Sequence, residues 1–154
     1  MYNMITIEEF KKKQTSKTRL IGLDLGSKRI GVSICDERQS IATPFKTIDR
    51  INTTNLIDQL KKIIKENNIK GIVIGNPINM DGTLGSSAHS VKDISINISK
   101  SIDLPVFLWD ERLSTVGAFN LSSQLDVNIS KKLKKIDQNA AAFILQGAID
   151  YLNN

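Results

Sequence analysis

The run Ile69–Gly75, IKGIVIG, limits the choice of fold most sharply. It is apolar almost throughout, which suits a strand buried on both faces, and such strands belong to parallel sheets covered by helices. The residues before it carry a helical period. Leu56, Ile57, Leu60, Ile63 and Ile64 share one face, with Asn52, Thr53 or Thr54 available as N-cap and Asn67-Asn68 as the stop. A weaker helix, marked by Ala88, Val91, Ile94 and Ile98, leads to a second buried strand, Leu104–Trp109 (LPVFLW). Buried strands alternating with helices predict a sheet with helices on its faces.

Upstream, RLIGLDLG (Arg19–Gly26) and Ile30–Cys35 are separated only by Ser27, Lys28 and Arg29, which predicts an antiparallel hairpin. Ile41–Ile48 is a third extended piece, and Pro44 assigns it to an edge. The expected order is β-β-β-α-β-α-β-α-α, an antiparallel meander leading into crossovers, hence a mixed sheet of the α/β class. Ser114 can cap a helix after the last strand. A final helix is expected from about Asp137 to Tyr151, preceded by the basic stretch KKLKK (Lys131–Lys135).

The 154 residues suit one domain, expected over 19–154, with residues 1–18 as a polar N-terminal extension. Thr6 and Glu9 in that extension have capping-box spacing, which predicts a short helix near Ile7–Lys12. With 40% hydrophobic and 24% charged residues, the composition excludes a disordered tail or a fibre. The single cysteine, Cys35, cannot form an internal disulfide and suits a reducing compartment. No apolar run approaches the roughly 18 residues of a membrane helix, and the start carries Glu8 and Glu9 in place of an apolar signal core, so the expected location is cytoplasmic, with no membrane partner. A net charge of +5 favours a polyanionic partner.

Three carboxylates stand out. In the first strand Gly22, Asp24 and Gly26 share a face, and a carboxylate inside an apolar strand is costly without a partner. The flanking glycines leave room for something to approach Asp24 closely. At the carboxyl end of the last strand, where ligands of α/β sheets collect, stand Asp110, Glu111 and Arg112. Glu111 is expected to face the site, with Asp110 as a supporting acceptor and Arg112 orienting a carboxylate or touching phosphate. Asp137 precedes Ala140, Ala141 and Ala142, small residues that let a helix backbone lie close to a sheet and carry Asp137 toward Asp24.

Carboxylates gathered this way stay ionised together only around a cation. Oxygen donors with no His or Cys cluster point to Mg²⁺ or Mn²⁺, and paired ions suit hydrolysis of a phosphodiester. Lys28 and Arg29 follow Asp24, while Lys131, Lys132, Lys134 and Lys135 precede Asp137, so both groups border the expected site and can contact nucleic-acid phosphates. His89 is expected to be an exposed helix residue, and Cys35 and Trp109 to belong to the core.

In this order IGLDLGSKRIGVSICD, GNPINMDGTLG, LPVFLWDERLST and IDQNAAAFILQ resemble the YqgF/RuvX family, from Arg19 to Tyr151. These are bacterial proteins with a ribonuclease H-like fold, described as pre-16S rRNA nucleases and earlier as Holliday junction resolvases. The resemblance implies a five-stranded mixed sheet flanked by helices and an acidic site of Asp24, Glu111 and Asp137. It also implies metal-dependent trimming of the 5′ end of precursor 16S rRNA, free or in a ribosomal particle. The chain departs from the family's usual pattern at Gly75-Asn76-Pro77, commonly G-L-P, and at Gly85-Ser86-Ser87, where many members carry an arginine. Three other readings compete. Branched DNA could be cut by the same chemistry, or the chain could bind rRNA without cutting it. The glycine pattern around Asp24 also resembles the phosphate loop of actin-like ATPases, but those need a second such domain.

Overall fold

The computed structural model describes residues 3–77, 85–111 and 129–154, with only the backbone at 86, 87, 129–136 and 138. Five strands form one sheet: β1 (Leu20–Leu25), β2 (Arg29–Cys35), β3 (Ala42–Asp49), β4 (Gly71–Asn76) and β5 (Val106–Asp110), in the order β3-β2-β1-β4-β5. Four helices are described: α1 (Ile7–Lys13), α2 (Thr53–Asn67), α3 (Ser86–Ser101) and α4 (Ile129–Leu152). β1–β2 and β2–β3 are antiparallel, while β1–β4 and β4–β5 are parallel. This is the mixed ribonuclease H-like α/β sheet expected from the sequence. The segment that Ser114 was expected to cap, and the polar loop across 78–84, lie outside the described residues.

Local chemistry accounts for the element ends. The Asn52 side chain accepts from Asn55 N at 2.8 Å to start α2, and Asn68 in the left-handed region (φ 54°) ends it. Thr6 and Glu9 form the capping box of α1. β3 is an edge strand, as Pro44 requires, and a bulge opposite Val32 and Ser33 leaves Phe45 without a cross-strand partner.

Strand alternation divides the core between two faces. Ile21, Leu23, Ile30, Val32, Ile72 and Ile74 pack against α2 and α3. Leu20, Cys35, Val73, Phe107 and Trp109 pack against α1 and α4, where Ile144, Leu145 and Ile149 are buried. From the polar N-terminal segment Ile5, Ile7 and Phe10 join this second layer, while Met4 packs with the first. Ile7 and Phe10 are buried, the Phe10 and Phe107 ring centroids lie 4.8 Å apart, and Met4 bridges to Val106 beside β5.

The final helix starts earlier than expected. It begins at Ile129, so KKLKK lies inside it and Asp137 sits about two turns from its start. Lysine and leucine are good helix formers and carry the helix past the point where its apolar period begins. No described helix is long and apolar enough to cross a membrane.

Candidate active site

Small residues press α4 onto the sheet. A Cβ built on Gly22 would come within 2.5 Å of Ser33 Oγ and 2.7 Å of Leu145 Cβ. Buried Ser33 donates from Oγ to the Ala141 carbonyl at 2.8 Å, and Ala140, Ala141 and Ala142 are all buried. Gly31, paired with Asp24 across β1–β2, makes the closest approach: a Cβ there would lie 1.9 Å from the Asp137 carbonyl oxygen. Glycine is the residue that fits.

On the other side of β1 the arrangement repeats. Leu23 pairs with Ile74 of β4, so Asp24 and Gly75 come next along the two parallel strands. A Cβ on Gly75 would lie 3.0 Å from Glu111 Cγ and 3.1 Å from Glu111 Cδ. Asp24 is thus flanked by two bare backbone positions, one under Asp137 and the other under Glu111. Trp109 packs on Gly147 of α4, so alternation turns Glu111 toward the Asp24 face and Asp110, paired with Asn76, toward the opposite face.

The electrostatics follow from this packing. Burial, reinforced by the nearby Asp137 carboxylate, pushes the Asp24 carboxyl up from 3.8 to about 6. Asp137 has a counter-charge, since Arg29 Nε donates to its Oδ2 at 2.7 Å. Arg50 braces the intervening turn. Its Nη1 donates to the Gly26 carbonyl at 2.9 Å and its backbone N–H to the Lys28 carbonyl at 3.0 Å. Among the described residues, no three His, Cys, Asp or Glu side chains are drawn together tightly enough to hold a metal ion.

The structure brings Asp24 and Asp137 into mutual influence and sets Glu111 on the same face at the same end of the sheet. Lys28 is exposed at the β1–β2 turn. Lys131, Lys132, Lys134 and Lys135 follow the first turns of α4, their side chains outside the described set, and Arg112 lies outside the described residues altogether. His89 is exposed. Cys35 is buried and accepts from the Leu20 N–H at 3.2 Å, and burial pushes its thiol up to about 11. Sequence reasoning missed Arg29 as the partner of Asp137 and Gly31 as the seat of the α4 backbone. A glycine inside the apolar strand Ile30–Cys35 was the available signal for the second; nothing local signalled the first.

A family model described as RuvX, Holliday junction resolvase, matches residues 18–151. A Pelagibacter ubique protein named "Putative pre-16S rRNA nuclease" is 79% identical over 98% of this chain and 100% of its own length. One of the same name from Cereibacter sphaeroides is 43% identical over 96% of this chain and 92% of its own. Among solved structures, T. thermophilus RuvC in complex with a Holliday junction substrate superposes with a TM-score of 0.56 at 9% identity. It covers 89% of this chain and 97% of that one, a likeness of fold.

Proposed function

The chain belongs to the RuvX family, and on that footing we propose that it is a cytoplasmic nuclease that hydrolyses phosphodiester bonds at the 5′ end of precursor 16S rRNA. Residues 19–154 form its catalytic domain in this reading. The observation that carries it is Asp24: a carboxylate inside an apolar strand, flanked by two bare glycines, in the field of Asp137 and on the face that Glu111 shares.

This donor set suits a hard divalent cation. It offers carboxylate oxygens only, and Asp24 ionises with difficulty because it is buried and lies beside the Asp137 charge. Asp24, Glu111 and Asp137 would hold Mg²⁺ or Mn²⁺, which supplies Lewis acidity at the scissile phosphate when bound. The chain's own residues do the rest. The β1–β2 turn, braced by Arg50, presents Lys28 to the nucleic-acid backbone. Arg29 fixes one oxygen of Asp137 and so sets the orientation of that carboxylate. Lys131, Lys132, Lys134 and Lys135 add positive charge along α4, and Arg112, next to Glu111 in sequence, would orient a carboxylate or contact phosphate, whereas Asp110 faces away from Glu111.

Substituting Asp24→Asn tests the reading. The variant is expected to fold, to bind RNA and to lose Mg²⁺- or Mn²⁺-dependent cleavage of a precursor 16S fragment; retained cleavage would remove Asp24 from the site. The family's description favours a second substrate, branched DNA, cut by the same residues. Side-by-side rates on a four-way DNA junction and a precursor rRNA end separate the two.

A further inference from the structure

At the far end of the sheet from the acidic residues, α1 and the chain leading into β1 enclose a cavity of about 600 Å³. Ile5, Phe10 and Pro105 contribute apolar wall, while Lys13, Thr18 and Lys70 bring charge and hydroxyl groups. Thr18 and Lys70 also line a second cavity of about 240 Å³, shared with Lys17 and Arg19. Sharing Thr18 and Lys70 as walls, the two lie side by side as a trough beneath the amino ends of β1 and β4. Among the described residues, Glu37 is the one carboxylate lining either part. Lys13 and Lys70 are exposed, and no described carboxylate lies within ion-pair distance of either. Arg19 adds a buried Nε that finds no hydrogen-bond partner.

Lys13 and Lys70 without carboxylate partners, with the hydroxyls of Thr15, Ser16 and Thr18 beside them and apolar wall beneath, match a chain of phosphates carrying flat bases. A small anion would need one pocket, whereas two adjoining pockets that share Lys70 favour a polymer. We propose that this trough is a second RNA-binding site, holding a single-stranded stretch of the substrate away from the cleavage site. It rests on the nuclease reading for the identity of the RNA. From Leu20 to Asp24 is four strand steps at roughly 3.3 Å each, about 13 Å of β1 separating trough from acids. One RNA molecule can reach both.

The test uses the full chain, a fluorescein-labelled 12-nucleotide single-stranded RNA and EDTA to prevent cleavage, with anisotropy read across a salt series. Lys13→Gln with Lys70→Gln is expected to weaken binding about tenfold and to flatten the salt slope by roughly 1.4, the share of two phosphates on a single strand. Lys61→Gln with Lys62→Gln, the same charge change on exposed positions of α2, is expected to bind like the parent. Equal affinity and slope in the Lys13/Lys70 variant overturn the proposal, as does undetectable binding by the parent. A loss seen with a purified ribosomal precursor particle but not with the naked RNA overturns it too, since the trough would then contact protein. Lysine-dependent binding in a chain that cleaves nothing supports the trough while sinking the nuclease reading, so the two fail separately.

Discussion

The carbonyl oxygen of Asp137 occupies the place where Gly31 would carry a side chain, 1.9 Å from the position of a Cβ. Gly31 faces Asp24 across β1–β2, so the same contact that seats α4 also sets the spacing between the two carboxylates. A methyl group at Gly31 must lift the helix or bend the strand. Gly31→Ala is therefore expected to cost about 1–3 kcal/mol, the usual range for overpacking a tight interior. Activity should fall further than that loss of stability explains, because Asp137 moves with the helix. Urea denaturation and a cleavage assay on the same preparation check both; a variant as stable and active as the parent would mean that α4 does not lie on Gly31.

Asp24 makes a pH-dependent prediction. Its carboxyl titrates near 6 in the folded, metal-free chain and near 3.8 unfolded. Below pH 4 both states hold the proton and the residue costs nothing. As the pH rises through 6 the folded state must carry a buried charge that the unfolded state carries freely, so stability falls. At roughly 1.36 kcal/mol per pH unit the penalty at pH 8 is on the order of 3 kcal/mol. Asp24→Asn should thus be more stable than the parent at pH 8 in EDTA by that order, and no more stable at pH 4. A difference that does not change between those two pH values would contradict the burial of this carboxylate beside Asp137.

How far this site was legible in the sequence depends on range. The strand carrying Asp24, the edge strand marked by Pro44, and α2 with its Asn52 cap follow from short-range pattern, and observed ends differ from expected ones by a residue or two. The alanine run announced that α4 would lie close to the sheet. The start of α4 was not legible, because its first turns lack the apolar period and read as a loop rich in lysine. Nor was the ion pair between Arg29 and Asp137, which joins residues 108 apart and leaves no local mark. The N-terminal segment looked polar because only Ile7 and Phe10 of α1 enter the core.

A cation held by Asp24, Glu111 and Asp137 would reverse the Asp24 penalty. Mn²⁺ should stabilise the parent at pH 7.5, by about 2.7 kcal/mol at one hundred times its dissociation constant. Asp24→Asn should respond weakly, having lost one charged donor. Thermal denaturation with and without Mn²⁺ measures this, and an equal response from both proteins would place the cation elsewhere.

Cys35 offers a check on the layer beneath α4. With its thiol buried and pushed up to about 11, little thiolate exists near neutrality. Folded protein should react negligibly with an aromatic disulfide reagent at pH 8, and denatured protein should release one equivalent at once. Rapid labelling of the folded chain would show that the α4 face of the sheet opens.

The ion pair between Arg29 and Asp137 is partly exposed, with 28% and 19% of the two side chains accessible, so in isolation it should contribute about 1 kcal/mol or less. Its setting adds a second effect. Removing Arg29 leaves the Asp137 charge uncompensated in front of Asp24, and the two carboxylates then repel. Arg29→Gln should destabilise the metal-free chain at pH 8, and the loss should shrink when Asp24→Asn is already present, because a neutral partner has nothing to repel. A double-mutant cycle isolates this coupling from the ion pair's own contribution. Strict additivity would mean that Arg29 holds Asp137 for reasons unconnected with Asp24, and that the two carboxylates do not share one electrostatic site.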